Sequence, residues 1–401
     1  MKILIVSQYF WPENFKINDL AVALKNRGYE VVILTGKPNY PQGKFFKGYG
    51  FFSPHKESYK GIDIYRVPIF PRGNGSGIML LLNYLSFVFF GSFFILLNRK
   101  KYDLSITYAI SPITQVFPAL VHKLFFHSKV FIWLQDLWPE SVVAAGKVNS
   151  WLAMKLLNKM VRFIYKNCDK VLVQSEAFTE SVINKGMKES NIHYIPNWAE
   201  DVFTSGKLSK DPPKVQLPLG FKIVFAGNIG EAQDFESLIK AASLTKDFPD
   251  IKWIFVGDGR KKQWVQEQIK LQDLERSVIL PGLFPLEDMP SLYAQADILL
   301  LSLKDKDIFH LTIPVKLQPY MASGKPIAGM LNGVGAELIL KANCGFSCAA
   351  GDYVSLSGFV IKAHKMNQES LYEWGLNGKN YHDKTFKKEV ILNNLTSIID
   401  A

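Results

Sequence analysis

The sequence predicts an α/β chain made of two similar halves, each a doubly wound parallel sheet, and three observations carry that expectation. Short β-branched runs alternate with amphipathic helical patterns along nearly the whole length. At 401 residues the chain is too long for one ordinary core. A polar connector, residues 199 to 219, carries Asp211-Pro212-Pro213-Lys214 and Pro218 and separates one α/β series from the next.

In the first half, Lys2 to Ser7 and Val31 to Thr35 read as strands around a helical pattern from Ile17 to Arg27 that closes at Gly28. The loops that follow these strands, Gln8 to Lys16 and Gly36 to Gly43, lie outside the carboxyl edge of the sheet, where doubly wound folds bind ligands. Trp11, Glu13, Asn14, Asn39 and Tyr40 in those loops suit sugar binding by stacking and hydrogen bonding; such residues equally build rigid surface loops. Ile62 to Val67 and Leu104 to Tyr108 continue the sheet. Between them run twenty uncharged residues, Ile78 to Leu97, followed by Asn98-Arg99-Lys100-Lys101. That length could just cross a bilayer. Because the flanking strands belong to one sheet, a helix lying in the membrane interface with a basic skirt fits better, with a helix packed inside the fold as the alternative. Trp151 to Lys166, with Lys155, Lys159, Arg162 and Lys166 at helical spacing, would extend the same surface, so residues 78–101 and 151–166 are the expected membrane contacts. Val130 to Leu134 runs into Gln135-Asp136-Leu137-Trp138-Pro139-Glu140. Carboxylates beside Trp133 and Trp138 at a strand end suit acid–base chemistry, with Asp136 first and Glu140 second; a helix-capping role is the alternative. Lys170 to Gln174, a helix from Ser175 to Lys185, and His193 to Pro196 complete this half.

The second half opens with Phe221 to Ala226, the turn Gly227-Asn228-Ile229-Gly230 and a helix from Phe235. Trp253 to Val256 leads into Gly257-Asp258-Gly259-Arg260-Lys261, where glycines hint at a phosphate cradle and the two cations strengthen the hint. Val278 to Leu280, Asp297 to Leu301 and Ile327 to Gly329 are the later strands, and Glu369 to Tyr381 and Lys384 to Ile399 the final helices. The most informative stretch is Asp307 to Pro326. It reads as a loop and a short helix with Thr312 or Ile313 at the N-cap, Pro314 in the first turn, and Gly324 and Pro326 as the stop. Lys316 then falls in the first turn, where the helix dipole disfavours a lysine by ~0.3–1 kcal/mol. A phosphate there would answer it; a lysine stretched into solvent is the alternative.

A formal charge of +11 and an isoelectric point near 9.2 point to an anionic partner: nucleic acid, anionic lipid or a phosphorylated substrate. No nucleic-acid motif is present. Three cysteines without a pairing pattern fit a reducing, cytoplasmic setting, and Met1 to Val6 is too short for a signal peptide.

Ser7 to Asn14, Thr35 to Gly43, Gln135 to Ser141, Ser175 to Phe178, Ile195 to Trp198, Gly227 to Gly230 and Asp307 to Pro326 together resemble the retaining glycosyltransferases of family 4. The chain looks closest to the O-antigen and capsule branch that includes N-acetyl-L-fucosamine transferases. The resemblance implies the GT-B fold: two Rossmann-like doubly wound domains facing a cleft. Residues 1–198 would bind the acceptor and 199–383 the nucleotide-sugar donor, with a C-terminal helix, 384–401, packing back on the first. It implies retaining, metal-independent hexosyl transfer without a cofactor, from a UDP-N-acetylamino sugar such as UDP-N-acetyl-L-fucosamine to a polyprenyl-diphosphate-linked saccharide. The enzyme would work in the cytoplasm, attached to the inner face of the cell membrane, without nucleic acid as a partner. Gly227, Asn228, Gly230, Gly257, Arg260, Lys261, Phe309, Leu311, Thr312, Lys316 and Glu337 are the donor-binding candidates. The chain departs from the family at the paired glutamates, whose matching positions are Leu311 and Pro319, and at the Arg and Lys that commonly follow the first strand of the second domain, which fall near Asn228 and Gln233. Lys316 with Arg260 is then expected to take the diphosphate, Glu337 the ribose, and Asp136 the acceptor proton or the sugar-ring cation. Two other readings compete. A nucleotide-sugar epimerase of the same fold would turn over without acceptor, and a non-catalytic donor-binding scaffold subunit would bind without transfer.

Overall fold

Runs of Ile, Val and Leu that are buried on both faces become the central strands of two parallel sheets, which the amphipathic segments cover as helices. The computed structural model describes residues 1–53, 55–144, 150–204 and 216–401, and it divides into two units, Met1–Ile195 and Pro196–Ala401.

The first unit runs β1 (Lys2–Val6), α1 (Lys16–Asn26), β2 (Glu30–Gly36), β3 (Lys56–Tyr59), β4 (Ile62–Val67), α2 (Gly77–Asn98), β5 (Leu104–Ala109), α3 (Phe117–Phe126), β6 (Lys129–Leu134), α4 (Glu140–Ala144), α5 (Trp151–Asn167), β7 (Lys170–Val173), α6 (Thr179–Asn184) and β8 (Ile192–Tyr194). The sheet order is β3-β4-β2-β1-β5-β6-β7-β8, parallel throughout except for the antiparallel edge strand β3.

Helix α2 is two-sided. Leu80, Asn83, Phe87, Gly91 and Ile95, three or four residues apart, face inward. A Cβ on Gly91 would stand 2.8 Å from Pro118 Cγ, so α2 packs closely on α3. The buried Asn83 accepts from Gln8 Nε2 at 2.6 Å and donates to the Phe70 carbonyl at 2.5 Å, while Ser86 Oγ accepts from Phe70 N at 3.0 Å. The other face leaves Ile78, Leu81, Leu85, Phe89, Phe93 and Leu97 exposed. By length and composition α2 could cross a membrane, yet a third of its most apolar window is buried in the fold.

The second unit runs α7 (Asp201–Thr204), β9 (Phe221–Ala226), α8 (Phe235–Ser243), β10 (Ile251–Val256), α9 (Lys262–Leu271), β11 (Val278–Gly282), α10 (Met289–Gln295), β12 (Ile298–Ser302), α11 (Asp307–Leu311), α12 (Leu317–Ala322), β13 (Ile327–Met330), α13 (Val334–Lys341), β14 (Gly345–Cys348), α14 (Tyr353–His364), α15 (Gln368–Thr385) and α16 (Lys388–Asp400). Its all-parallel order β11-β10-β9-β12-β13-β14 is the 3-2-1-4-5-6 pattern, and the chain reverses direction across the sheet between β9 and β12.

Helix α16 lies in the second unit, where Lys388 Nζ stands 2.8 Å from Asp201 Oδ2. Two expectations change here. The helix after the 307–311 turn starts at Leu317, so neither Thr312 nor Ile313 caps it. Thr312 instead closes α11, with its hydroxyl donating to the Ile308 carbonyl at 2.7 Å. Strand β14 escaped the sequence reading because Gly345-Phe346-Ser347-Cys348 has no apolar alternation.

Candidate functional site

The carboxyl edge of the second sheet gathers several loops. Tyr320 Oη accepts from Ala226 N at 3.0 Å, which seats α12 against the end of β9. Lys316, the residue before α12, is thereby carried to the switch point. Its Nζ stands 3.5 Å from the centroid of the Phe225 ring. Gly227 adopts φ +140°, and a Cβ there would lie 2.5 Å from Lys316 Cε and 2.9 Å from Nζ. Burial lowers the pKa of the amine from 10.5 to about 7. A cation–π contact over Phe225 offsets part of that cost; among the described residues no carboxylate does.

The neighbouring segments fit around this amine. Gly333, before α13, has φ +73°, and a Cβ there would meet the His310 carbonyl oxygen at 2.1 Å. The segment with Phe309, Leu311 and Thr312 therefore abuts the one leading to Glu337, an exposed residue in the first turn of α13. Asp305-Lys306-Asp307 lies beside it; Asp305 Oδ1 accepts from His310 Nε2 at 2.6 Å and from Asn332 Nδ2 at 3.1 Å.

Several donor-site expectations are redirected. The Gly257 and Gly259 pair is required for loop packing: Cβ atoms there would fall 1.9 Å from the Gly227 carbonyl oxygen and 2.3 Å from that of Ile229. Their amides are taken by the Gly282 carbonyl and the Asp258 carboxylate, so they form no phosphate cradle. Lys261 is neutralised, 2.5 Å from Glu236 and 3.1 Å from Glu231, in a cluster that Lys304 completes. Arg260 is exposed. The Thr312 amide points at the Phe309 carbonyl, 3.4 Å away, and α12 is only six residues long, so Lys316 is held by burial rather than by a helix dipole. A cavity of 460 Å³ in this unit, lined by Ala296, Asp297, Lys325 and Pro326, sits at the amino edge of β12 and β13, away from these loops.

In the first unit, Asp136 follows β6 and accepts from Ser111 N at 2.9 Å and Ser111 Oγ at 2.8 Å; Trp138 Nε1 donates to the same hydroxyl at 3.1 Å. Burial raises the Asp136 pKa, partly countered by those bonds. Glu140 is tied down instead, accepting from Lys185 Nζ at 2.5 Å and Ser181 Oγ at 2.9 Å, and is a structural ion pair. Glu13, 2 % exposed, accepts from the amides of Tyr40 at 2.7 Å, Asn39 at 2.8 Å and Phe10 at 3.3 Å. It clamps the loops after β1 and β2 together, and burial raises its pKa from 4.5 to about 7. Asn39 is buried as well, accepting from Arg72 N at 3.1 Å. Trp11 stacks on Tyr59 and, with Asn14, lines a separate 340 Å³ cavity beside α1. Of the acceptor candidates, Tyr40 alone stays exposed in an aromatic group, with ring centroids 5.3 Å from Phe15 and 5.7 Å from Tyr9. Ser111, Arg72 and Tyr84 belong to this edge and were missed, since nothing in their local sequence signals it.

A family model described as "Glycosyl transferase 4-like domain" matches residues 15–198, and one described as "Glycosyl transferases group 1" matches 220–364. The chain is a glycosyltransferase with the GT-B fold. Among the curated relatives of this glycosyltransferase, "Probable glycosyltransferase WbjE" of Pseudomonas aeruginosa is 28% identical over 64% of each chain. "Putative colanic acid biosynthesis glycosyl transferase WcaI" of Escherichia coli K12 is 26% identical over 81% of this chain and 82% of its own. The Anabaena protein HepE, solved in complex with UDP, superposes on the glycosyltransferase with a TM-score of 0.69 at 15% identity, covering 100% of both chains, and so shares its fold.

Proposed function

We propose that this glycosyltransferase moves a sugar from a nucleotide-sugar, of the UDP-N-acetylamino class, to a polyprenyl-diphosphate-linked saccharide in bacterial surface polysaccharide synthesis. Retention of the anomeric configuration, independence of a metal and attachment to the inner face of the cell membrane belong to the same reading. The observation that carries it is Lys316: a desolvated amine at the switch point of a doubly wound sheet, with no carboxylate partner among the described residues. The relative named for colanic acid and the UDP complex of the fold neighbour support the pathway class and the nucleotide.

Breaking a sugar–diphosphate bond leaves negative charge on the departing diphosphate. Lys316 meets that charge from a fixed position, which is where electrostatic preorganisation acts. In this reading Lys316, aided by the exposed Arg260, takes the part a divalent ion would otherwise play, and Glu337 contacts the ribose. Asp136, oriented by Ser111, takes the proton from the acceptor hydroxyl or steadies the ring cation, and its raised pKa makes it the stronger base. The apolar outer face of α2, continued by Leu124 and Phe125 of α3 and by Trp151, Leu152 and Leu156 of α5 with its lysines, lies in the membrane interface.

The test is a screen of UDP-, GDP- and dTDP-sugars against a polyprenyl-diphosphate-linked saccharide in detergent, read by product mass and anomeric NMR. Transfer from a UDP-sugar with retained configuration is the expected result; turnover of the donor without acceptor would replace this reading with an epimerase. Because Leu311 and Pro319 stand where the family carries glutamates, a non-catalytic donor-binding subunit is the second reading, and it gives binding without product.

A further inference from the structure

The first unit contains two inward arginines that the chain treats differently. Arg66, 1 % exposed, is paired with Glu57 and donates to the carbonyls of Gly36 and Trp11. Its charge is cancelled within the fold, as a structural cation requires. Arg72, six residues later in the loop between β4 and α2, has no carboxylate within reach among the described residues. Its guanidinium sits inside three phenol rings, 5.8 Å from the Tyr9 centroid, 5.4 Å from Tyr40 and 6.0 Å from Tyr84, and donates to the Tyr9 hydroxyl.

The placement of this group is fixed. Arg72 N donates to the buried Asn39 side chain, Gly73 N donates to the Gly43 carbonyl at 2.9 Å, and a Cβ on Gly43 would fall 1.8 Å from the Gly73 carbonyl oxygen. The collar therefore stands at the carboxyl edge of the sheet, where β1, β2 and β4 deliver Tyr9, Tyr40 and Arg72, and it leads directly into α2, whose outer face is uncovered and apolar. It also borders the chemistry: burial raises the Tyr84 pKa, and the Asp136 charge raises it further. A cation held by neutral hydroxyls keeps its charge for something else, and phenol O–H groups can turn to donate to the same anion. Guanidinium is the side chain best suited to a phosphate, which it can meet with two parallel N–H bonds.

We propose that Arg72, within the collar of Tyr9, Tyr40 and Tyr84, binds the phosphate groups of the acceptor. This deepens the transferase reading and rests on it for the identity of the acceptor; the recognised chemistry is a phosphate or diphosphate ester. Arg72 is a positioning residue: it places the acceptor's sugar near Asp136 and does not touch the reacting atoms.

The experiment has two arms. In the first, inorganic pyrophosphate is titrated calorimetrically into full-length chain carrying Lys316→Ala, which removes the donor's cation, with and without Arg72→Gln. The expected result is one site in the parent, weakened about 10- to 100-fold by Arg72→Gln and partly restored by Arg72→Lys. Equal binding by parent and Arg72→Gln, or no binding by the parent, overturns the proposal. In the second arm the wild-type lysine is kept. Arg72→Gln should raise KM for the polyprenyl-diphosphate-linked saccharide about tenfold or more while kcat moves less than about threefold. KM for an alkyl glycoside of the same sugar, which has no phosphate, should not change. An equal loss on both acceptors overturns the proposal, and near-UV circular dichroism of each variant separates that result from misfolding. If the wild type transfers to no acceptor, the transferase reading fails, while the pyrophosphate arm still decides Arg72.

Discussion

Glu13 in the first unit and Lys316 in the second are both desolvated at the carboxyl edge of their sheets, and the two are opposites. Glu13 is a carboxyl group surrounded by three backbone amides of its own chain. Lys316 is an amine facing an aromatic ring, with its donors unspent among the described residues. The first arrangement is closed, because the protein supplies every partner; the second is open, because the matching anion must come from outside. A buried ionisable group therefore signals ligand binding when its hydrogen-bonding capacity is left over, and signals architecture when it is used up.

The largest expected effect falls on the open group. Lys316→Ala should lower turnover ~10²–10³-fold, measured under donor saturation, since it removes a fixed cation from the leaving group. The free protein should gain stability from Lys316→Met, on the order of 1–3 kcal/mol at pH 6, because an unpaired buried charge is replaced by an isosteric apolar chain. Near-normal turnover in Lys316→Ala would erase the contrast with Glu13.

Next comes the closed group. Glu13→Ala strands three amides and should cost ~2–4 kcal/mol by urea denaturation, with activity falling only as folded protein falls. A collapse of turnover in a fully folded Glu13→Ala chain would move Glu13 to the functional side.

The pH dependences run in opposite senses. Glu13 has a folded pKa of about 7, above the ordinary 4.5, so its stabilising contribution is complete below 4.5 and is lost as pH rises through 7. Lys316 has a folded pKa of about 7, below 10.5, so its contribution is complete above 10.5 and is lost as pH falls through 7. Donor binding restores the charge on Lys316. At pH 8 binding of the nucleotide-sugar should be coupled to uptake of a fraction of a proton by Lys316, seen by calorimetry in buffers of different ionisation enthalpy, and the affinity should weaken as pH climbs above 7. The smallest effect belongs to Lys261→Ala, less than about threefold in donor affinity, because Glu231 and Glu236 already cancel that charge.

How much of this was legible follows from how local each cause is. Most strands and the extents of α2 and α5 are written in short windows, and the structure has them where the sequence reading does; β3 and β14, short and without apolar alternation, are the exceptions. The reason given for Lys316 was wrong in its physics: Pro314 suggested an early helix start, whereas the helix begins after the lysine, and the distant Phe225 and Gly227 enclose the amine. The inward turn of Glu13 depends on amides in the next loop, the neutralisation of Lys261 on two glutamates across a turn, and the Arg72 collar on tyrosines from three separate segments. Residue types in sequence do not reveal such meetings.

Gly227 has a consequence of its own. The space its absent methyl leaves is the space Lys316 occupies, with 2.5 Å between the would-be carbon and Cε. Any other residue at 227 would evict the side chain toward water, where lysine regains its ordinary basicity and loses its aim. The acidity of one amine is thus set by a hydrogen atom on a residue that never ionises.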